Sequence, residues 1–320
     1  MTSEPIEIVA GSIKQNLGRR NKSSAPHLYF CLLAAISCLV FWVPIRNLIA
    51  FSLTHDYGSH ILLIAPLSIF FVYLKRREIF SNVHFHLHRK TIIAGSSLFL
   101  LGLSFVLVSK YQPLSAEKLS FEILSLVVFW ISAFVLCYGR ESFIKARFPL
   151  LFLFLLTPIP PLVIDEIVFA LQAGSSDVAY GLLRILNVPV LKDGFILRLP
   201  IVNLEVAKEC SGIRSSIALL VTTLVAAELG LRSSQAKVIL VIATIPILVL
   251  KNGVRIVTIY LLAAYLDPAF LHGWLHTSGG IVFYLLGLLA MIPVGALLRK
   301  RESKLIHQLP LRKPASVTWG

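Results

Sequence analysis

Residues 204–230 read LEVAKECSGIRSSIALLVTTLVAAELG, and the change of character inside this stretch decides the fold. Glu205, Lys208, Glu209 and Arg214 crowd the first half, whereas the second half is an apolar run. A charged approach followed by an apolar segment of nearly 20 residues is the pattern of a helix entering a membrane. Cys210 stands at the seam, where that helix begins.

Outward from this seam the chain repeats the pattern. Of its 320 residues 57% are hydrophobic and 14% charged, and mean hydropathy is +0.82. Soluble domains are usually about 45–50% apolar, so the composition excludes an ordinary soluble enzyme. The fold class expected is an all-α polytopic membrane protein. Eight spans are expected, over 28–52, 60–74, 91–109, 119–138, 148–164, 211–229, 238–262 and 274–298. The first is long and the second short, so a kink at Pro44 or a tilt is anticipated.

The net charge of +14 raises the question of nucleic acid, and the placement of the basic residues answers it. Segments 1–27, 75–90, 139–147, 230–237 and 299–320 fall on one side of the expected bundle and carry 20 of the 30 Lys and Arg residues. Basic runs close to helix ends mark the cytoplasmic side, which puts both termini there. The charge is therefore topology, reinforced by anionic lipid, and no nucleic-acid partner is expected. The apolar stretch LYFCLLAAISCLVFW (28–42) lacks a small-x-small cleavage site and is kept as a span, not a signal peptide. The domain organisation expected is a basic cytoplasmic tail over 1–27, a transmembrane domain over 28–300 and a second basic tail over 301–320, with no repeat or appended soluble domain.

The largest non-cytoplasmic region expected is about 165–210. IDEIVFALQAGSSDVAYGLLRILNVPV (164–190) has helical apolar spacing and reads as an amphipathic helix at the membrane interface. DGFILRLPIVNLEVAKE (193–209) alternates on both sides of Pro200 and reads as a small extracytoplasmic β-hairpin before the helix that Cys210 starts.

The four cysteines are not equivalent. Cys31, Cys38 and Cys137 fall inside spans and read as small hydrophobes of a bundle. No CxxC or Cys/His cluster has metal or redox spacing, so neither a cofactor nor a metal is implied. Cys210 sits at a helix N-terminus with Arg214 one turn later, and both favour the thiolate, the nucleophilic form. Gly212 leaves room for close backbone approach. The opposing reading is a buried capping thiol without chemistry, and Ser211 is the weaker candidate nucleophile.

Two polar insertions bear on that choice. In VILVIATIPILVLKNGVRIVTIYLLAA (238–264) Lys251, Asn252 and Arg255 interrupt an apolar helix, and Asn252 and Arg255 share a face. An arginine inside a span is costly unless paired or facing a hydrated cavity, which makes it a functional candidate; a structural ion pair to Glu205 or Glu209 is the alternative. In LHGWLHTSGGIVFYLL (271–286) His272 and His276 are four apart at the start of the last span. Histidine is readily poised as acid or base near neutral pH. A metal pair is the alternative, and it lacks a clear third ligand. The expected topology brings Cys210, Arg255 and His276 to one depth on the outer side. A nucleophile, a base and a cationic stabiliser are the parts of covalent acyl transfer.

At this point the sequence resembles the exosortase/archaeosortase family of polytopic membrane cysteine transpeptidases. The resemblance rests on PVLKDGFILRLPIVNLEVAKECSGIRSS (189–216), NGVRI (252–256) and HTSGGIVFY (276–284), in that order. Upstream, HDYGSHILLIAPLSIFFVYLKRREIF (55–80) and FPLLFLFLLTPIPPLVID (148–165) resemble the family's earlier spans, so it covers about residues 50–300. The resemblance implies an enzyme that recognises a C-terminal signal on an exported protein: a short motif such as Pro-Glu-Pro, a transmembrane helix and a basic tail. It implies cleavage near the motif and transfer to an acceptor, with Cys210 as nucleophile, Arg255 as the family's arginine and His276 as the third catalytic residue. Gly280 favours His276 over His272, one turn away. No periplasmic domain is expected after span eight, unlike in some fused members.

Candidate substrate contacts are Arg214, Asn252, His272, and Tyr57 and His60 beside a substrate entrance, where interfacial anchoring is the plain alternative. Glu205 and Glu209 are placed to receive a basic substrate segment or orient Arg214, with a solvated loop as alternative. The rival function is a transporter or flippase using Lys251, Arg255 and the histidines for an anionic substrate. Cleavage with water as acceptor is a third possibility. The sequence does not specify the acceptor, the motif read or the oligomeric state.

Overall fold

The computed structural model describes residues 25–81, 89–112, 115–206, 212–271 and 280–308. The expected all-α polytopic membrane fold is observed. Among the described residues, five helices are long and apolar enough to cross a membrane, or up to seven if each of two bent pairs is one span. The segment expected as span two is a shorter apolar helix, Ile61–Leu74. The chain divides into two compact units, Met1–Val163 and Ile164–Gly320.

The first unit opens with a bent pair, α1 (Ala25–Val40) and α2 (Trp42–Thr54), at 73° to each other. Pro44 explains the bend. It has no N–H for the carbonyl of Val40, four residues earlier, and its ring crowds that carbonyl, so α1 ends there. A 3₁₀ turn (Asp56–Gly58) leads to α3 (Ile61–Leu74) and a single turn, α4 (Arg76–Ile79). Then come α5 (Arg89–Ser109), α6 (Ser115–Lys145) and α7 (Arg147–Phe152), with a 3₁₀ turn over Leu153–Leu156.

Helix α6 is the centre of this unit. Gly95 and Gly102, seven apart on α5, let the two backbones approach: a Cβ on Gly102 would meet Phe129 Cε1 at 2.6 Å. Ser132 and Ser125 of α6 donate to the carbonyls of Gly95 and Gly102 at 2.8 and 2.7 Å. Small residues with hydroxyl bonds across them are how helices associate where lipid offers no hydrophobic drive. Span four was expected to end at residue 138, and Gly139 (φ 79, ψ 177) breaks the helix there before a last short stretch to Lys145.

Span five differs from the expected continuous helix over 148–164. The helix stops at Leu156, and Thr157 is extended (φ −71, ψ 120) because TPIPP follows and residues before proline are driven out of helical geometry. Helix α8 (Pro161–Ile185) then starts with proline at its first position, where the missing N–H costs nothing. Most of the segment read as an amphipathic helix is therefore α8, and its apolar face carries Val168, Leu171, Ala179 and Leu183 into the second unit's core.

The expected hairpin is present and has one strand more. Strands β1 (Leu191–Asp193), β2 (Ile196–Arg198) and β3 (Asn203–Glu205) form an antiparallel sheet in the order β1-β2-β3. The hairpin around Pro200 is β2–β3, with Leu197 opposite Leu204. The added strand β1 is too short to read from alternation, and it pairs through a tight turn at Gly194 (φ 58). Leu197 is fully buried against Ala179, Leu183, Ile256, Val257 and Tyr260.

Helices α9 (Ile213–Gly230), α10 (Ser234–Tyr265) and α11 (Gly280–Gln308) complete the second unit. Leu219, Ala227, Leu240, Leu248 and Met291 form their common core. The α9–α10 junction is fastened at one end: Glu302 of α11 accepts from the backbone N–H groups of Arg232 and Ser233 at 3.1 and 2.7 Å.

Candidate active site

The site forms where α9 begins. Gly212 is the N-cap of α9 and is left-handed (φ 67, ψ 23), which an L side chain reaches only at a cost. A Cβ at this position would lie 2.6 Å from Asn252 Oδ1 and 3.6 Å from Lys251 Nζ. The close backbone approach expected at Gly212 is thus made by two polar side chains of α10. Positive φ and crowding both demand glycine here.

Lys251, Asn252 and Arg255 are 2%, 1% and 9% exposed, so the polar insertion in α10 is buried inside the protein and not turned to lipid. Burying such groups is costly unless hydrogen bonds repay the lost solvation. Asn252 Nδ2 donates to Ser175 Oγ of α8 at 3.0 Å. Lys251 Nζ donates to Ser215 Oγ at 2.6 Å, and Ser215 Oγ donates to the Gly212 carbonyl at 3.0 Å. That carbonyl also accepts the Ser216 N–H at 2.9 Å, the first helical bond of α9. Arg255 follows Lys251 by one turn of the same helix, so two cationic side chains and one amide share a short segment.

Glycines make these contacts possible. Gly253 faces α8, where a Cβ would run into Val178, and a Cβ on Gly174 of α8 would meet Val249 Cγ1 of α10 at 3.0 Å. On the other side, a Cβ on Gly287 of α11 would meet Leu219 of α9 at 2.9 Å and Lys251 Cδ at 3.2 Å. The lysine stem is thereby enclosed while its ammonium reaches the start of α9. Gln172 of α8 donates to the carbonyl of Val206, the last residue described before Gly212.

The other sequence candidates divide as follows. Cys210, His272 and His276, with Glu209 and Ser211, lie outside the described residues. Arg214 is exposed at the first turn of α9, and Glu205 is exposed on β3. Tyr57 and His60 belong to the first unit, where Tyr57 packs edge-on to Phe51 with ring centroids 5.5 Å apart and His60 precedes α3. Of the remaining cysteines, Cys137 is buried, Cys38 half-buried and Cys31 exposed on an apolar helix. Sequence reasoning did not single out Ser215 or Ser175. The one available signal was small hydroxyl residues in segments that must pack against a helix carrying Lys251 and Asn252.

These features define a polytopic membrane protein whose buried polar side chains converge on the turn that follows Cys210. The description of the family whose model matches the chain is transmembrane exosortase, over residues 50–293 of 320, and the chain belongs to that family. It is a membrane protein-sorting enzyme of a cysteine transpeptidase-like family that processes exported proteins within the membrane. No curated protein and no solved structure matches it.

Proposed function

We propose that the chain is a cysteine protease or transpeptidase that cuts C-terminal sorting signals from exported proteins, with Cys210 as nucleophile, Arg255 as cationic stabiliser and His276 as proton carrier. The observation that carries this reading is the buried pair Lys251 and Asn252 packed on the Gly212 turn, with buried Arg255 one turn further along the same helix, inside the region that matches the family. Covalent geometry alone keeps the Cys210 Cα within about 7.6 Å of the Gly212 Cα. His276 is four residues before Gly280 in sequence, and Gly280 begins the helix whose Gly287 packs on Lys251.

The Cys210 thiolate adds to the carbonyl carbon of the scissile peptide bond, and the bond's electron pair moves to oxygen, beside the Arg255 guanidinium. As that oxyanion collapses, the C–N bond breaks and His276 gives the departing amine a proton, leaving a thioester on Cys210. An acceptor nucleophile attacks the thioester while His276 takes its proton, and the thiolate is released. The substrate carries a short motif, a transmembrane helix and a basic tail, like the signals read by the family that the sequence resembles. Both termini are cytoplasmic, the site opens to the exterior of the inner membrane, and residues 28–300 are the catalytic domain between basic tails.

The test is co-expression with an exported protein bearing such a signal. Cys210→Ala should stay in the membrane and leave the substrate uncut, and processing at the parent rate by that variant removes the nucleophile from the scheme. Arg255→Lys should rescue poorly, because an ammonium cannot reproduce the planar multi-donor fork.

A further inference from the structure

We infer that Lys251 is a positioning residue for this reaction: through Ser215 its ammonium holds the left-handed Gly212 turn, which opens α9 two residues after Cys210 in sequence. The inference rests on the reading of Cys210 as nucleophile and adds a residue to it.

Lys251 is 2% exposed, and the recorded acceptor for its ammonium is a neutral hydroxyl. Among the described residues, no ion pair joins it to a carboxylate. A buried ammonium is destabilising relative to an apolar side chain of the same size, and a single serine hydroxyl offsets little of that. Stability does not account for a lysine here. Its contacts point instead to the turn. The stem is walled by Gly287, the ammonium donates to Ser215 at 2.6 Å, and the same Ser215 oxygen donates to Gly212 at 3.0 Å.

The direction of this relay matters. The ammonium has no acceptor capacity, so Ser215 Oγ must turn its own hydrogen away from Lys251, and the Gly212 carbonyl lies in reach to receive it. The lysine thus fixes the serine rotor, and the rotor fixes the peptide of the N-cap. Asn252 closes the other side of the turn, its amide held by Ser175 and its oxygen against Gly212. Loss of the ammonium frees the rotor, and the turn loses one of its side-chain restraints without any group touching substrate being removed. Displacement of a reacting group by about 1 Å is enough for a loss near 100-fold.

The probe is a membrane-impermeant maleimide, applied to membranes bearing a chain whose Cys31, Cys38 and Cys137 are replaced by alanine. Lys251→Met and Ser215→Ala should each slow alkylation of Cys210 at least fivefold. The double variant should be no slower than the worse single one, because the two residues act in series. Lys251→Met should keep or raise the thermal midpoint, a dissociation that a merely structural lysine would not show. With purified enzyme in detergent and a purified signal-bearing substrate at varied concentration, both variants should lower kcat and leave KM nearly unchanged. Alkylation at the parent rate in Ser215→Ala, which removes one oxygen, overturns the inference, and so does a double variant whose loss is the product of the single losses. Cys210→Ala separates the two proposals: if it is inert while Lys251→Met and Ser215→Ala process normally, only the role of Lys251 falls. If Cys210→Ala still processes, the nucleophile itself is wrong.

Discussion

Substitution of Gly212 by alanine probes the geometry on which the site stands. The backbone there is at φ 67. Forcing an L side chain into left-handed geometry costs about 1–2 kcal/mol. The new methyl also lands 2.6 Å from Asn252 Oδ1 and 3.1 Å from its Cγ, so one of the two must move. Asn252 is 1% exposed and donates to Ser175 at 3.0 Å, and swinging it aside breaks that buried bond. Leaving a buried donor or acceptor unsatisfied costs about 1–3 kcal/mol. Together the native turn loses about 2–5 kcal/mol. At about 1.4 kcal/mol per factor of ten, that lowers its population relative to competing arrangements by at least about 30-fold.

The assay is a double-mutant cycle on thermal midpoints in detergent, with processing of the co-expressed substrate alongside. Gly212→Ala should lower both. In the Asn252→Ala background the steric part vanishes, and the remaining Lys251 Nζ contact at 3.6 Å is an ordinary one. Adding Gly212→Ala there should cost only the backbone share, about 1–2 kcal/mol. A cycle with no coupling, or Gly212→Ala as stable as the parent, refutes the placement of this turn against Asn252.

Two further substitutions test how the site is braced. Gly253→Ala gains about 1 kcal/mol of helix propensity but drives a methyl into Val178, with overpacking worth about 1–3 kcal/mol. The thermal midpoint should fall, whereas Gly181→Ala, on the facing helix α8 and with nothing within 4 Å of its would-be Cβ, should raise it; a rise in both contradicts the close α8–α10 crossing. Gln172→Leu removes the donor to the buried Val206 carbonyl and should cost about 1–3 kcal/mol, read as a lower midpoint; a midpoint equal to the parent's means that bond does not hold the end of the sheet.

What the sequence disclosed depended on the range of each signal. Apolar length placed α5, α9 and α10 close to their observed limits, because a span is a property of one segment and needs no partner, whereas the last helix, α11, runs on to Gln308, beyond the expected end at 298, because its charged final turns carry no apolar signal. Pro44 was legible for the same reason. TPIPP lies inside the expected fifth span, because the total hydropathy of 148–164 outweighs the local rule that residues before proline leave helical geometry. Strand β1 was missed: three residues show no alternation, and they become a strand only because β2 is beside them. At the site, Lys251, Asn252 and Arg255 stood out as charge in an apolar helix. Ser175 and Ser215 did not, since a serine in a membrane helix looks the same whether it bonds its own backbone or a lysine from another helix.

The glycines show why the polar cluster needs that particular backbone. Helices packed through ordinary side chains stand about 8–10 Å apart, too far for an asparagine of one to reach a serine on the next at hydrogen-bond distance without displacing the packing. Gly174 and Gly253 remove the intervening methyls at the α8–α10 crossing, and there Asn252 reaches Ser175. Gly287 does the same between α11 and the stem of Lys251, and Gly212 admits both side chains to the start of α9. Each polar contact of the cluster therefore sits beside a glycine that lets it form. That is the opposite of what apolar packing alone would select, since every one of those glycines forfeits side-chain burial. The conserved quantity under mutation should then be distance: a methyl added at any of these positions acts on the site by pushing elements apart, and relief by trimming the facing side chain, as at Asn252, separates this from a loss of chemistry.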